Sequence, residues 1–241
     1  MGVIMRNGVN YTRGDGSKTI LIDKTITENG TYSASDDNAD GYSEVTVDVA
    51  SDVSGSLVMS QSGKDVITTK ISIKVPSGIQ FLQSTAFYGM DTLISVSLPD
   101  TLVSIGSSCF KSCRNLQEIN LPNSITAIAS EAFYSCSKIV SINLPNLLTS
   151  LPSEVFRYCT SLTSIDIPSG ITSIGSSAFD SCISLMSITC RATIPPTLSN
   201  NNVFYNVPSA CLIYVPSESV ETYKSAQYWS ARADYIQAIS E

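Results

Sequence analysis

Few residues of this chain have the chemistry for catalysis or metal binding. It contains no histidine, so the imidazole that usually activates a serine or cysteine nucleophile and serves as general base is missing. A carboxylate pair remains: Glu118 and Asp166 fall on one outward strand face of the regular pattern described below, two periods apart. Strand spacing puts them roughly 10 Å apart, near the separation used by inverting glycosidases. Both positions are open to water, with no apolar pocket to raise a carboxyl pKa. The sequence therefore argues against an enzyme, with a glycan-processing activity as the only chemical alternative.

The seven cysteines read as packing residues. Cys113, Cys136, Cys159 and Cys182 recur at one position of the pattern, where Met90 stands in the first copy, and Cys109 occupies a slot otherwise held by Ala86, Ala132, Val155 and Ala178. A residue exchanged with Met or Ala acts as a small hydrophobe. Stacked neighbours about 5 Å apart lie within reach of a disulfide, but parallel Cβ vectors make its torsion difficult, so buried free thiols are expected. There is no Cys-x-x-Cys pair, which with the missing histidine argues against structural zinc. Asp36, Asn38 and Asp40, with Gly41, match the first half of a calcium loop, but the position that needs a bidentate Glu holds Val47, and the flanks read as strand. A polar loop is the better reading, and no cofactor is expected.

What positions these side chains is a repeat. Pro76, Pro99, Pro122, Pro145 and Pro168 are spaced by 23 residues, as are Phe87, Phe110, Phe133, Phe156 and Phe179, and Ser84, Ser107, Ser130, Ser153 and Ser176. A fixed period of this size is the mark of a solenoid, in which each coil buries its apolar face only against its neighbours. In each copy a stretch alternates with the period of a strand: Val96/Leu98, Ile119/Leu121, Ile142/Leu144, Ile165/Ile167 and Ile188/Cys190 point inward. The proline that follows ends the strand. The serine three residues before each Phe is placed to cap a short helical turn whose inward face, in the third copy, is Ala132, Phe133, Cys136 and Ile139. Parallel strands about 4.7 to 4.9 Å apart then give a short rod, wound right-handed.

The outward strand face is the candidate binding strip: Ser95, Ser97, Glu118, Asn120, Ser141, Asn143, Ser164, Asp166, Ser187 and Thr189. It is lined by hydroxyls and amides, weakly acidic, and suited to a protein or a glycan, although it lacks the Trp, Tyr and Arg that dominate interface hot spots. A second row, Tyr88, Lys111, Tyr134, Arg157 and Asp180, follows each Phe on the turn side, where cations can stack on tyrosines.

Outside the repeats, residues 1–50 read as a small β module, with Asn29-Gly30 as a hairpin signal and Val45, Val47 and Val49 alternating along a half-buried strand. A Ser/Gly/Asp-rich joint opens residues 51–75, whose remainder is read as an N-terminal capping hairpin from 57 to 75. The repeats fill 76–216, with a two-residue insertion after Cys190 that shifts the last strand to Ile213–Val215. Residues 217–241 read as a helical cap with Val220, Tyr223, Trp229, Tyr235, Ile236 and Ile239 facing inward, the single Trp as its anchor.

Charged residues are only 15% of the chain and the net charge is −7, which argues against a nucleic-acid backbone or an anionic membrane as partner. No apolar run approaches the 18 residues of a membrane span, and the apolar start Met1–Met5 is too short for a secretory signal.

The pattern Leu-Pro-x-x-Ile-x-x-Ile-x-x-x-Ala-Phe-x-x-Cys-x-x-Leu-x-x-Ile closely resembles the BspA-like leucine-rich repeat, matching 76–190 in full and 191–216 with the insertion. The resemblance implies an α/β repeat solenoid, a leucine-rich repeat superhelix, with a helical cap and a non-enzymatic role in binding, often adhesion, outside the cell. The segment Lys24–Val49 resembles a short β motif of tail and minor structural proteins of phages and prophages. That implies a virion-associated component, which needs no secretion signal. The alternative is a bacterial surface adhesin whose export signal lies outside this sequence.

Overall fold

The structure, a computed structural model, describes residues 72–75, 79–91 and 93–240 in full and, before these, only the backbone of strands. Each repeat is one coil with two short strands and a wall of tight turns. One sheet runs Ile4–Arg6, Val9–Tyr11, Lys18–Ile22, Glu44–Val49, Lys70–Lys74, Leu93–Ser97 and Glu118–Ile119. A second runs Thr31–Ser33, Gly55–Ser60, Ile79–Leu82, Ser104–Ile105 and Ala127–Ile128. Two further sheets follow: Ser150–Leu151, Ser173–Ile174 and Thr197–Leu198, and Ser164–Ile167, Ser187–Cys190, Leu212–Val215 and Ile236–Ala238. Apart from the first two pairings, the strands pair in parallel. Ser164 sits opposite Ser187 and Ile165 opposite Ile188, the register that the 23-residue period requires. Ile188 then meets Ile213 across the insertion.

Two local expectations give way to this lateral pairing. The hairpin over 57–75 does not form: Gly55–Ser60 pairs with Thr31–Ser33 and Ile79–Leu82, and Lys70–Lys74 pairs with Glu44–Val49 and Leu93–Ser97, all in parallel. The strands flanking Asn29-Gly30, Lys18–Ile22 and Thr31–Ser33, likewise belong to different sheets. Parallel partners one coil away satisfy both edges of a strand, whereas a hairpin would satisfy one.

The expected helical turn before each Phe is a pair of tight turns instead. Thr85, Ser108, Glu131, Glu154 and Ser177 have positive φ, and so do Gly89, Ser112, Ser135, Tyr158 and Ser181 four residues on. Gly89 alone takes this conformation without a Cβ penalty; for the others it costs roughly 1 kcal/mol. The return is a backbone ladder between coils. Ser108, Phe110 and Ser112 donate N–H bonds of 2.8 to 3.0 Å to the carbonyls of Ser130, Ala132 and Tyr134, and Glu131, Phe133 and Ser135 do the same to Ser153, Val155 and Arg157. The intervening amides close their own turns, as Cys109 does to Gly106 and Lys111 to Ser108. Every second residue thus points its N–H along the solenoid axis, which an α-helix could not do.

Behind this wall the phenylalanines form one column. The rings of Phe87, Phe110, Phe133, Phe156, Phe179 and Phe204 follow one another at 4.8 to 5.9 Å and within 19° of parallel. Trp229 closes it, 5.4 Å from Phe204 and tilted by 56°, with Nε1 donating to the carbonyl of Pro196 at 2.8 Å. Tyr223 meets Trp229 edge-on and donates its hydroxyl to Ala192. The cap holds one short helix, Val220–Ser225, and ends in the strand Ile236–Ala238, which extends the last sheet. Among the described residues, no helix is long and apolar enough to cross a membrane.

Phe133 is stacked on both sides, by Phe110 and Phe156, so its truncation leaves a void in the column between coils. Phe133→Ala is expected to cost about 3 to 5 kcal/mol, read from urea unfolding of the two proteins, whereas Tyr88→Ala, half exposed, should cost under about 1 kcal/mol.

Candidate functional site

The ten strip residues do lie on the outward face, but not in one uninterrupted sheet. Ser95, Ser97 and Glu118 stand on the first sheet, with Asn120 just beyond it, while Ser164, Asp166, Ser187 and Thr189 stand on the last. Ser141 and Asn143 occupy a coil without a named strand, joined by a single bridge from Asn143 to Asp166. Ser97, Glu118, Asn120, Ser141, Asn143 and Ser164 are exposed; Ser95, Asp166, Ser187 and Thr189 are half-buried. Ser95 donates to the Ser72 hydroxyl at 2.8 Å.

Asp166 is not a free carboxylate. Arg191 grips it with Nε at 2.8 and 3.0 Å from its two oxygens and a terminal nitrogen at 2.6 Å. This arginine stands 23 residues after Pro168, in the slot that holds the strand-ending proline in the other copies, so the break in the proline series was its signal. The pair Glu118 and Asp166 therefore lacks one member as a general acid or base. The strip also ends on residues that the repeat count passed over, Leu212 and Tyr214, in register with Ser187 and Thr189. One position earlier, Val140 and Met186 are exposed, Met186 by 70%. Their signal was present in the sequence, as apolar residues in a column that holds Ile94, Gln117, Val140, Thr163 and Met186.

The turn-side row becomes an ion network. Lys111 pairs with Glu131 and its Nζ sits 4.4 Å from the centre of the Tyr134 ring; the hydrogen bond to Glu131 raises its pKa. Arg157 bonds Glu154 at 3.1 Å, lies over Tyr158 at 4.9 Å and approaches Tyr134 at 5.9 Å. Its Nε is 2.9 Å from Asp180 Oδ2, a charge contact rather than an aligned hydrogen bond, since no acceptor lies along that N–H. Asp180, only 5% exposed, also accepts from the Ser181 hydroxyl at 2.7 Å.

The comparison with known families is decisive for the repeat. The BspA type leucine rich repeat region, in six copies, matches residues 80–211 and 149–233. The chain belongs to this family. Among solved structures, the BspA-type coils resemble a leucine-rich repeat protein of T. pallidum at 21% identity and a TM-score of 0.51, over 89% of this chain and 81% of that one. A leucine-rich repeat protein of Bacteroides ovatus is 17% identical with a TM-score of 0.48, over 88% and 70% of the two chains. A leucine rich cell surface protein of Faecalibacterium prausnitzii is 18% identical with a TM-score of 0.43, over 91% and 72%. At these identities the likeness is one of fold. No curated protein matches the chain.

All seven cysteines of this BspA-type chain are free and buried. They do more than fill space. Cys113, Cys136, Cys159 and Cys182 donate their thiols to the carbonyls of Phe87, Phe110, Phe133 and Phe156, one coil back, at 2.9 to 3.2 Å. The same Phe carbonyls accept the amide three residues on, as Phe87 does from Met90, so the thiol uses the second lone pair. Burial pushes Cys113 and Cys182 up to about 12 and Cys211 up to about 11, so none is a thiolate near neutral pH. No cluster of metal-ligating side chains occurs among the described residues; the candidate Asp36, Asn38 and Asp40 lie outside them.

Two expectations follow from these contacts. Above the ordinary thiol value of 9.0 the unfolded chain ionises its cysteines while the folded chain holds the proton, so stability should fall as pH rises from about 9 to about 12. Urea midpoints across that range check this, and an aromatic disulfide reagent at pH 8 should titrate the thiols only after unfolding. Arg157→Ala strands the buried Asp180 and should cost about 2 kcal/mol or more, whereas Arg191→Ala removes an exposed pair worth under about 1 kcal/mol. Thermal unfolding of the two variants separates them.

Proposed function

We propose that this BspA-type protein is a non-enzymatic recognition protein that presents its outward strand face to a protein or glycan on a cell surface, outside the cell. What carries the reading is the strip itself. Hydroxyl, amide and carboxylate side chains from successive coils stand at one position each, and on either side of the break between Asn120 and Asn143 the backbone is held by coil-to-coil pairing, so within each part they meet a ligand without first being ordered. Of the two carboxylates placed for chemistry, Glu118 and Asp166, the second is held by Arg191, which supports the reading too. Family membership points the same way, because BspA-like repeats serve binding. Residues 76–216 are the recognition array in this reading, and 217–241 seal its end.

A virion setting is the second reading, favoured by the resemblance of Lys24–Val49 to a phage tail motif. The comparisons add nothing to that motif, so the cell-surface setting ranks first.

The full chain, purified and passed over a glycan array and over immobilised extracellular matrix proteins, tests the proposal. Binding to at least one class of probe is expected, with Asn120→Arg weakening it at least about tenfold through bulk and charge at the centre of the strip. Binding that is unchanged by Asn120→Arg and Asn143→Arg would remove the strand face as the contact. Turnover of a glycan, lost in Glu118→Gln, would replace recognition by catalysis.

A further inference from the structure

The coils do not join equally all the way along. Gln117, Thr163 and Met186 each donate an N–H to the preceding coil, to Ile94, Val140 and Thr163, at 2.9 to 3.0 Å. Val140, at the same position, makes no such bond, and the outward sheet ends at Glu118–Ile119 and resumes at Ser164. The second strand position shows the same gap. Val103, Thr126, Thr172 and Thr197 donate back to Gln80, Val103, Thr149 and Thr172, while Thr149 makes no equivalent bond. Gly106, Ala129, Gly175 and Ser199 donate back to Leu82, Ile105, Leu151 and Ile174; their counterpart is Pro152, which has no N–H. Where Thr101 and Ser124 reach back with a hydroxyl to the carbonyls of Ile79 and Leu102, at 2.9 and 2.6 Å, the next copy has Leu147, exposed to water.

On the turn side nothing is interrupted. Glu131, Phe133 and Ser135 donate to Ser153, Val155 and Arg157 at 2.8 to 3.1 Å, Phe133 and Phe156 stack at 5.7 Å, Cys159 donates to Phe133 at 3.2 Å, and Thr160 bonds Ser137. Both strand ladders are open between two coils whose turn walls are closed. That is the geometry of a hinge with one stiff side: rotation about the turn wall changes the strand-side gap while breaking no hydrogen bond.

We propose that the solenoid consists of two stiff blocks, one ending near residue 138 and one beginning near 139, joined by a hinge whose pivot is the turn wall at Phe133 and Phe156 and whose strand side opens between Asn120 and Asn143. Pro152 deletes the main-chain donor, and Leu147, like Gly170 in the next copy where the main-chain donors Thr172 and Gly175 remain, lacks the side-chain donor. The outward face is therefore not one rigid ruler. Its two halves tilt relative to one another, and a ligand spanning both selects one tilt. The inference depends on the coil contacts alone and stands whatever the strip binds.

Distances between paired nitroxide labels test it. Ser97→Cys with Thr189→Cys spans the seam, and Asn143→Cys with Gln237→Cys covers the same number of coils within the second block; all four positions face outward, and the native thiols are buried. The distance distribution of the first pair is expected to be at least about twice as broad as that of the second. Adding Leu147→Ser and Pro152→Ala, which restore the donors seen at Ser124 and Ala129, should narrow the first and leave the second unchanged. Equal widths for the two pairs in the otherwise native chain would overturn the proposal, whether or not the restored variant folds. A fold-competent restored variant that leaves the first pair equally broad would overturn the assignment to Leu147 and Pro152.

Discussion

Everything in this protein depends on one coil lying in register on the next along the turn wall. The contact combines three elements at each step: alternate N–H groups that point along the axis, a stacked phenylalanine, and a thiol that takes the second lone pair of the Phe carbonyl. None is strong by itself. A backbone hydrogen bond nets about 1 kcal/mol and a stacked ring pair about as much beyond its burial. Repeated at every coil boundary with the same offset, they hold positive-φ residues such as Ser112 and Glu131 in a conformation the isolated peptide would leave. A single repeat has neither the core nor the partners to do this, so the array is stable only as a stack.

This arrangement explains why the surface is so plain. The strands need only apolar inward residues and water-compatible outward ones, and a cluster of charge is paired on the turn side, Lys111 with Glu131 and Arg157 with Glu154 and Asp180. The strand face is left with hydroxyls and amides at regular intervals, a surface that resists nonspecific association yet offers donors and acceptors in two rows that meet at the hinge. At the far end the column is closed by Trp229, and Arg232 ties together the carbonyls of Phe204, Val207 and Pro208.

Much of this was legible in the sequence because the repeat reports register directly: the inward residues, the Phe column and the burial of the cysteines all follow from what is held constant at the 23-residue period. What was illegible depends on features that the period hides or breaks. Ser130 before Phe133 reads as a helix cap, but the helix is displaced by axial pairing that only a neighbouring coil can supply. The Asn29-Gly30 turn reads as a hairpin for the same reason. Arg191 reaches Asp166 from the slot that holds proline in the other copies, a substitution whose partner the period does not name, and Phe204 joins the column from a copy displaced by the insertion. Pro152 was visible as a missing donor, yet its consequence requires knowing which amides pair between coils.

The central claim is that the turn wall, more than the strand ladders, holds the stack together. Native-state hydrogen exchange tests it most directly, by comparing the amides of Phe110, Ser112, Phe133 and Phe156 with those of Gln117, Thr126, Thr163 and Thr172. The account predicts that the turn-wall amides exchange only through global unfolding, with the same denaturant dependence on both sides of residue 139. Turn-wall amides that exchange faster than the strand amides, through local opening, would contradict it.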